Sequence, residues 1–256
     1  MMTEEEITKN LSRNSKISRV ICLDKIDSTN NYAKNLASNG APHGTLITAN
    51  EQTAGRGRSG HSFESPPDTG LYMSLILRPH VELAQFQMIT IADAVAVCFA
   101  VEDLYKRSKG KLKIKWVNDI FFHDKKIAGI LTEALTDSVI TGIGINISTK
   151  NFTEQAGNAG AIFSDDEILF SRAELCARVA DYVMDFAENL SDKNLIDAYR
   201  ERSLLIGKNI TFMKNNESRS GLVEGIDDSG GLVILNEDGE KEILRSGEVF
   251  LVREGF

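Results

Sequence analysis

The spacing of apolar residues changes near Ile206, and this change is the strongest constraint on the fold. Before Ile206, short runs of period 2 alternate with longer runs of helical period. After it, short apolar runs are separated by turn signals of the hairpin type, at Asp228–Gly231, Asp238–Gly239 and Ser246–Gly247. Roughly 50 residues of hairpins are too few for an extended sandwich. The pattern predicts an α+β domain over residues 1–205 and a small β-barrel over residues 206–256.

The first part of the chain has the pattern of a mixed sheet with helices. Period-2 and short apolar runs predict strands at residues 19–24, 45–51, 71–77, 112–116, 126–133 and 138–147. Helical spacing predicts helices after Asp27–Asn30, over 86–105, over 171–190 and over 195–205, whereas residues 1–18 are assigned no element. The segment 53–70 is rich in Gly, Ser and Pro, and a loop of that length is usually functional.

Composition excludes several classes of function. Lys and Arg number 29 against 37 Asp and Glu, which gives a net charge of -8. The surface as a whole therefore lacks the positive charge that binds nucleic acid. The apolar stretch Ile91–Val101 is interrupted by Asp93 and is too short to cross a bilayer. The N-terminus is acidic and has no signal region, which predicts a cytoplasmic protein. Cysteines and histidines are scattered without metal-binding spacing, so the metal ligands are unknown at this stage.

The string Gly55–Gly60 (GRGRSG) fits the dinucleotide-binding pattern G-x-G-x-x-G by letter. That pattern requires a helix to open at its third glycine, and the following residues, His61–Pro67, end in paired prolines that do not open one. Alternating Gly and Arg instead give a pliable backbone that presents two permanent cations to a carboxylate or phosphate. A solvated basic loop is the alternative interpretation.

Three further strings carry unusual polar residues at strand ends. They are Lys115–Asp119 (KWVND), Lys126–Leu131 (KIAGIL) and Gly142–Asn146 (GIGIN). A glycine within a strand permits a close backbone approach, and an asparagine amide can bond a base edge. Taken singly, each string is more often structural than functional.

In this order, and after Asp27–Asn30 (DSTN), the four strings resemble the catalytic domain of the biotin protein ligases (biotin–acetyl-CoA-carboxylase ligases). Val117 stands where that family usually has proline. The resemblance implies a mixed sheet packed with helices, as in class II aminoacyl-tRNA synthetases, and an SH3-like C-terminal barrel. Because only about 18 residues precede the first strand, we expect the short class without an N-terminal DNA-binding domain.

The resemblance also implies a reaction in two steps. Biotin is activated with ATP to biotinyl-5'-AMP, and biotin is then transferred to a specific lysine of a biotin carboxyl carrier protein. The biotin carboxylate is already ionised at neutral pH, so the task is to bring two anions together, which predicts cations and Mg²⁺ at the site. No DNA or membrane partner is expected, and an exposed edge at Ser138–Ile147 suggests a possible homodimer.

By resemblance, each site residue matches a family position. The residues matched to biotin are Ser28, Thr29, Gln52, Gly55, Arg56, Arg58, Lys126, Gly129 and Gly142. Those matched to ATP and the adenylate are Arg56, Arg58, Phe63, Lys115, Asn118, Lys126 and Asn146. Lys115, Arg58 and Asp119 are the expected catalytic residues, with Lys115 polarising the α-phosphate. The family also tends to have a basic residue near the end of the barrel, for which Arg253 is the nearest candidate although Val252 falls at the simplest alignment.

Two alternatives stay open on the sequence. A lipoate or octanoate protein ligase has a related architecture, but its aliphatic substrate needs fewer hydrogen-bonding groups than Ser28, Thr29 and Gln52 offer. A non-enzymatic module, in which the barrel binds a peptide or nucleic acid, would make the four strings coincidental.

Overall fold

A computed structural model describes residues 2–78, 86–164, 167–214 and 217–252 of the chain. A seven-stranded sheet forms the centre of the first part. Its strands are β1 (Arg19–Ile26), β2 (Thr45–Gln52), β3 (Gly70–Leu77), β4 (Lys113–Lys115), β5 (Asp119–Phe122), β6 (Lys125–Ala134) and β7 (Val139–Asn146). They lie in the order β1-β2-β3-β7-β6-β5-β4, and every neighbouring pair is antiparallel except the parallel β1 and β2.

Among the described residues, five α-helices pack around this sheet. They are α1 (Glu4–Asn10), α2 (Thr29–Ser38), α3 (Phe86–Leu104), α4 (Arg172–Ala187) and α5 (Lys193–Glu201). Successive strand residues point to opposite faces, so Ile47 packs with α2 in the smaller core while its neighbour Leu46 joins α3 and α4 in the larger one. Both faces are therefore covered, and all eight residues of β3 are buried.

The last part of the chain is a five-stranded antiparallel sheet. Its strands are β8 (Asn209–Lys214), β9 (Glu217–Ile226), β10 (Leu232–Asn236), β11 (Lys241–Leu244) and β12 (Val249–Leu251), in the order β11-β10-β9-β8-β12. Apolar residues of this sheet, such as Phe212 and Ile234, belong to the same contiguous core as the larger domain. The predicted α+β architecture with a small C-terminal β-domain is confirmed.

Two expectations about local structure were wrong. Residues 4–10 form a helix, which a capping box between Thr3 and Glu6 stabilises at its N-terminus. The strand β7, expected as an edge available to a homodimer, lies between β3 and β6, so its backbone groups are already paired. The edges of the large sheet are β1 and β4. Arg253 lies outside the described residues.

Within the described residues, no helix is both long and apolar enough to cross a membrane.

Candidate active site

A cavity of about 320 Å³ lies where α2 begins, beside β6 and β7 and under the glycine-arginine loop (residues 53–66). All of the predicted site residues except Gly55 line it: Ser28, Thr29, Gln52, Arg56, Arg58, Phe63, Lys115, Asn118, Asp119, Lys126, Gly129, Gly142 and Asn146. Residues from every one of the four strings therefore meet in one place, although about 90 residues of chain separate the first string from the last.

The N-terminus of α2 forms a buried polar end to the cavity. Gln52 at the end of β2 accepts hydrogen bonds at Oε1 from the Thr29 backbone N–H at 2.8 Å and from Thr29 Oγ1 at 3.1 Å. Its Nε2 donates to Ser65 Oγ at 2.9 Å, which fixes the orientation of the amide. Ser28, the N-cap residue, is buried and makes no capping hydrogen bond to the described helix, so its hydroxyl is available to a ligand.

The glycine-arginine loop folds back on itself as an irregular hairpin. The Phe63 N–H donates to the Gly55 carbonyl at 2.9 Å, and the Gly57 N–H donates to the His61 carbonyl at 2.7 Å. A Cβ at Gly55 would lie 2.3 Å from the Phe63 carbonyl oxygen, so only glycine fits there. Gly55, predicted to contact biotin, is not among the residues lining the cavity, and its contacts are with the loop itself.

Four cations line the cavity and differ in their partners. Lys126 Nζ is paired with Asp119 Oδ1 at 2.7 Å. Arg58 Nη1 donates to the Asn118 Oδ1 at 3.1 Å and, across the described ranges, forms no ion pair with a carboxylate. Its charge is therefore not neutralised by a paired carboxylate, as a group that meets an anionic ligand requires.

Lys115 is a partly buried cation of the cavity. Burial lowers the pKa of its ammonium group, an effect that Lys126 adds to and that Asp119 and Glu248 oppose. Its Nζ lies 5.5 Å from the centroid of the Phe250 ring, a cation–π distance. A partly desolvated cation interacts more strongly with developing negative charge than an exposed one.

Glycines in β6 and β7 leave a flat surface on one side of the cavity. Gly129 of β6 and Gly144 of β7 are paired across the strands, and the Phe63 ring packs over both. A Cβ at Gly144 would lie 2.5 Å from that ring. At the end of β7, Asn146 donates from Nδ2 to the Gly160 carbonyl at 3.0 Å, while its buried Oδ1 has no hydrogen-bond partner in the part of the chain that the structure describes. That acceptor suits a donor on a ligand.

Sequence reasoning missed part of the cavity wall. Asn30 and Met73, together with the C-terminal-domain residues 247–250, also line the cavity. Asn30 belongs to the quoted DSTN segment and could have been included, but no local signal distinguishes residues 247–250 from an ordinary turn and strand. No group of three His, Cys, Asp or Glu residues suited to a metal ion occurs among the described residues.

Comparison with known proteins agrees with this geometry. The model of the biotin/lipoate A/B protein ligase family matches residues 22–149, and that of the biotin protein ligase C-terminal domain matches residues 205–252. The bifunctional ligase/repressor BirA of Bacillus subtilis is 34% identical over 94% of this chain and 77% of its own. The biotin–[acetyl-CoA-carboxylase] ligase of Paracoccus denitrificans is 29% identical over 89% of this chain and 98% of its own.

A solved structure shares the fold as well. The biotin protein ligase of Aquifex aeolicus in complex with biotin and ATP aligns with a TM-score of 0.75 and 27% identity, over 93% of this chain and 100% of that one. The family matches and the relatives cover both the catalytic part and the C-terminal part of the chain. The chain therefore belongs to the biotin protein ligases, within the biotin/lipoate A/B protein ligase family.

Proposed function

We propose that this protein is an ATP-dependent ligase that activates biotin to biotinyl-5'-AMP and transfers it to a lysine of a biotin carboxyl carrier protein. The observation that carries the proposal is a single cavity with a rigid polar end at Ser28, Thr29 and Gln52 and with four cations around it. Hydroxyl and amide groups suit the ureido ring of biotin, whereas cations suit its carboxylate and the phosphates of ATP.

In the first step, an oxygen of the biotin carboxylate attacks the α-phosphorus of ATP. The bond between the α-phosphorus and the bridging oxygen breaks, and pyrophosphate leaves. No general base is required, because the carboxylate is already ionised at neutral pH. Arg58 and Lys115 offset the repulsion between the two anions, and Lys115 stabilises the charge that develops on the α-phosphate.

In the second step, the amine of a carrier lysine attacks the carbonyl carbon of the mixed anhydride. The carbon–oxygen bond to the phosphate breaks, AMP leaves, the nitrogen loses a proton to solvent, and an amide forms. The glycine-arginine loop covers the cavity and limits loss of the intermediate to water. Asn118 and Phe63 line the side of the cavity assigned to the adenylate, where Phe63 offers an aromatic face to the base.

Mg²⁺ enters this proposal together with ATP. Mg²⁺ is usually bound through one or two carboxylates and the substrate phosphates, not by an all-protein cage. This fits a cavity whose lining includes single carboxylates such as Asp119 and, over the described residues, no cluster of three metal-binding side chains. When bound, the ion neutralises phosphate charge and orients the pyrophosphate leaving group.

The partner proposed for the second step is the biotin-accepting domain of an acetyl-CoA carboxylase. The relative from Paracoccus denitrificans is named for that enzyme, and we extend the assignment to this chain. A cytoplasmic location and a homodimer belong to the same proposal. The dimer would form by way of β1, because the outer side of β4 is already bonded to residues 202–204.

ATP–pyrophosphate exchange with Mg²⁺ tests the first step, run in parallel with biotin, lipoate, octanoate and no acid. We expect exchange with biotin alone. Lys115→Met should abolish it, and Lys106→Met, which removes an exposed lysine outside the cavity, should leave it unchanged. Exchange with lipoate or octanoate would instead identify a lipoate-type ligase. A lack of exchange with all three acids would contradict the enzymatic proposal.

A further inference from the structure

A charged cluster beside the cavity joins the glycine-arginine loop to α2 and β6. Glu133 of β6 lies with Oε1 3.2 Å from Arg56 Nη2 and 2.5 Å from Lys34 Nζ. Its Oε2 accepts a hydrogen bond from Asn30 Nδ2 at 2.9 Å. On the other side, Arg56 Nη1 donates to Asn31 Oδ1 at 3.0 Å. Arg56 is thus held from two directions by residues outside its own loop.

The three charged residues differ in burial. The Glu133 side chain is 18% exposed, that of Lys34 is 27% exposed, and that of Arg56 is 43% exposed. Burial alone would raise the pKa of Glu133, but hydrogen bonds from Lys34 and Asn30 and the charges of Lys34 and Arg56 hold it below its ordinary value. Glu133 is therefore ionised at neutral pH, and two cations share one of its oxygens.

Two cations, Lys34 and Arg56, surround the single carboxylate of Glu133, and one cation is enough to neutralise it. Arg56 lines the cavity, and Lys34 is not among the lining residues. If Arg56 turned from Glu133 to an anionic ligand, Lys34 would still compensate the carboxylate. Without Lys34, the same movement would leave a largely buried carboxylate without a cation, which is strongly unfavourable.

We infer that Glu133 and Lys34 are positioning residues for Arg56. Glu133 holds the guanidinium, and with it the glycine-arginine loop, at the cavity wall. Lys34 keeps Glu133 compensated when Arg56 turns to the carboxylate or phosphates of the substrates. This inference rests on the proposed function and deepens it, because it states how the loop arginine becomes available to an anion.

A double-mutant cycle tests the inference with the full chain. In ATP–pyrophosphate exchange with biotin, Lys34→Met should raise KM for ATP by about fivefold or more while kcat changes less than about twofold. Lys34→Arg, which keeps the charge, should restore KM. In a Glu133→Gln background, Lys34→Met should have no further effect, because a neutral amide needs no compensating cation.

Lys25→Met is the matched control. Lys25 forms a similar ion pair with Glu51 at 2.8 Å, and neither residue lines the cavity, so its loss should leave KM unchanged. Thermal unfolding of each variant separates a folding defect from a positioning effect. The inference is overturned if Lys34→Met raises KM for ATP as much in the Glu133→Gln background as in the wild type. It is also overturned if Lys34→Met leaves KM unchanged in a protein that exchanges with biotin. A wild type that shows no exchange would overturn the proposed function itself.

Discussion

Lys115 is the residue whose protonation should control the first step. In the proposed first step its charged form is the active one, and burial lowers its pKa from the ordinary value. The rate of ATP–pyrophosphate exchange should therefore decline at a lower pH than it would if the lysine were exposed. Lys115→Arg, whose guanidinium stays protonated, should be slower by about tenfold at neutral pH but lack this alkaline decline. An identical decline in both proteins would assign it to another group.

Arg58 should retain the activated intermediate. It hydrogen-bonds Asn118 but forms no ion pair with a carboxylate in the described ranges, so Arg58→Ala should leave the fold intact. Loss of a charge-assisted hydrogen bond to the anhydride, roughly 1.5–3 kcal/mol, should speed release of biotinyl-AMP by about tenfold or more. Filtration of the enzyme loaded with labelled biotin, without acceptor, measures this release. Arg107→Ala, which removes an exposed arginine that does not line the cavity, is the control. Equal retention by Arg58→Ala and the wild type would refute the assignment.

At the residue scale, the sequence motifs contain most of the residues that line the cavity. All of the predicted site residues except Gly55 line one cavity, because the strands and loops that contain the four motifs lie next to one another. Glu133 was missed because its partners, Lys34 and Arg56, lie 99 and 77 positions away along the chain. No local pattern marks a carboxylate as the anchor of a distant arginine.

Among the elements, helix α3 holds a buried acid in an apolar setting. Asp93 accepts a hydrogen bond from Thr141 of β7, and burial raises its pKa to about 7. Its folded-state pKa exceeds the unfolded value of about 4, so its contribution to stability is present in acid and is lost as pH rises from about 4 to 7 and above. The unfolding temperature of Asp93→Asn minus that of the wild type should therefore increase by about 3 to 8 °C from pH 5 to pH 8.

Thermal unfolding of both proteins across this pH range measures the difference. Groups with lowered pKa values, such as Glu133 and Asp227, titrate in both proteins and cancel in the comparison. A constant difference between the two proteins would show that Asp93 does not titrate in this range.

The elements themselves were predictable to different degrees. The helix 86–104 and the strands 45–52 and 70–77 follow long apolar patterns, and their predicted bounds agree within one residue. The strand β5 was missed because four residues carry too little periodicity and because Asn118–Asp119 has the composition of a turn. Turns lie on both sides of β5, at Trp116–Asn118 and at His123–Asp124, where His123 and Asp124 have positive φ. The helix α1 did have a local signal, since Thr3 and Glu6 fit a capping box.

At the scale of the whole molecule, the C-terminal domain forms part of the wall of the candidate active site. Trp116, next to Lys115, donates from Nε1 to the Gly230 carbonyl at 2.9 Å. His61 of the glycine-arginine loop lies with Nε2 3.2 Å from Glu248 Oε1. The barrel pattern predicted a small appended domain, but a hairpin pattern contains no information on which surface of that domain faces the catalytic residues.

Phe250 gives this contact between domains a measurable consequence. Its ring lies over the Lys115 ammonium, and the negative face of an aromatic ring favours the charged form of an amine. Phe250→Leu keeps the apolar bulk and removes this interaction, so the alkaline decline of exchange should shift to lower pH. Phe250→Trp, with a stronger π face, should shift it to higher pH. Two coinciding pH profiles would mean that the C-terminal domain shapes the cavity without acting on the charge of Lys115.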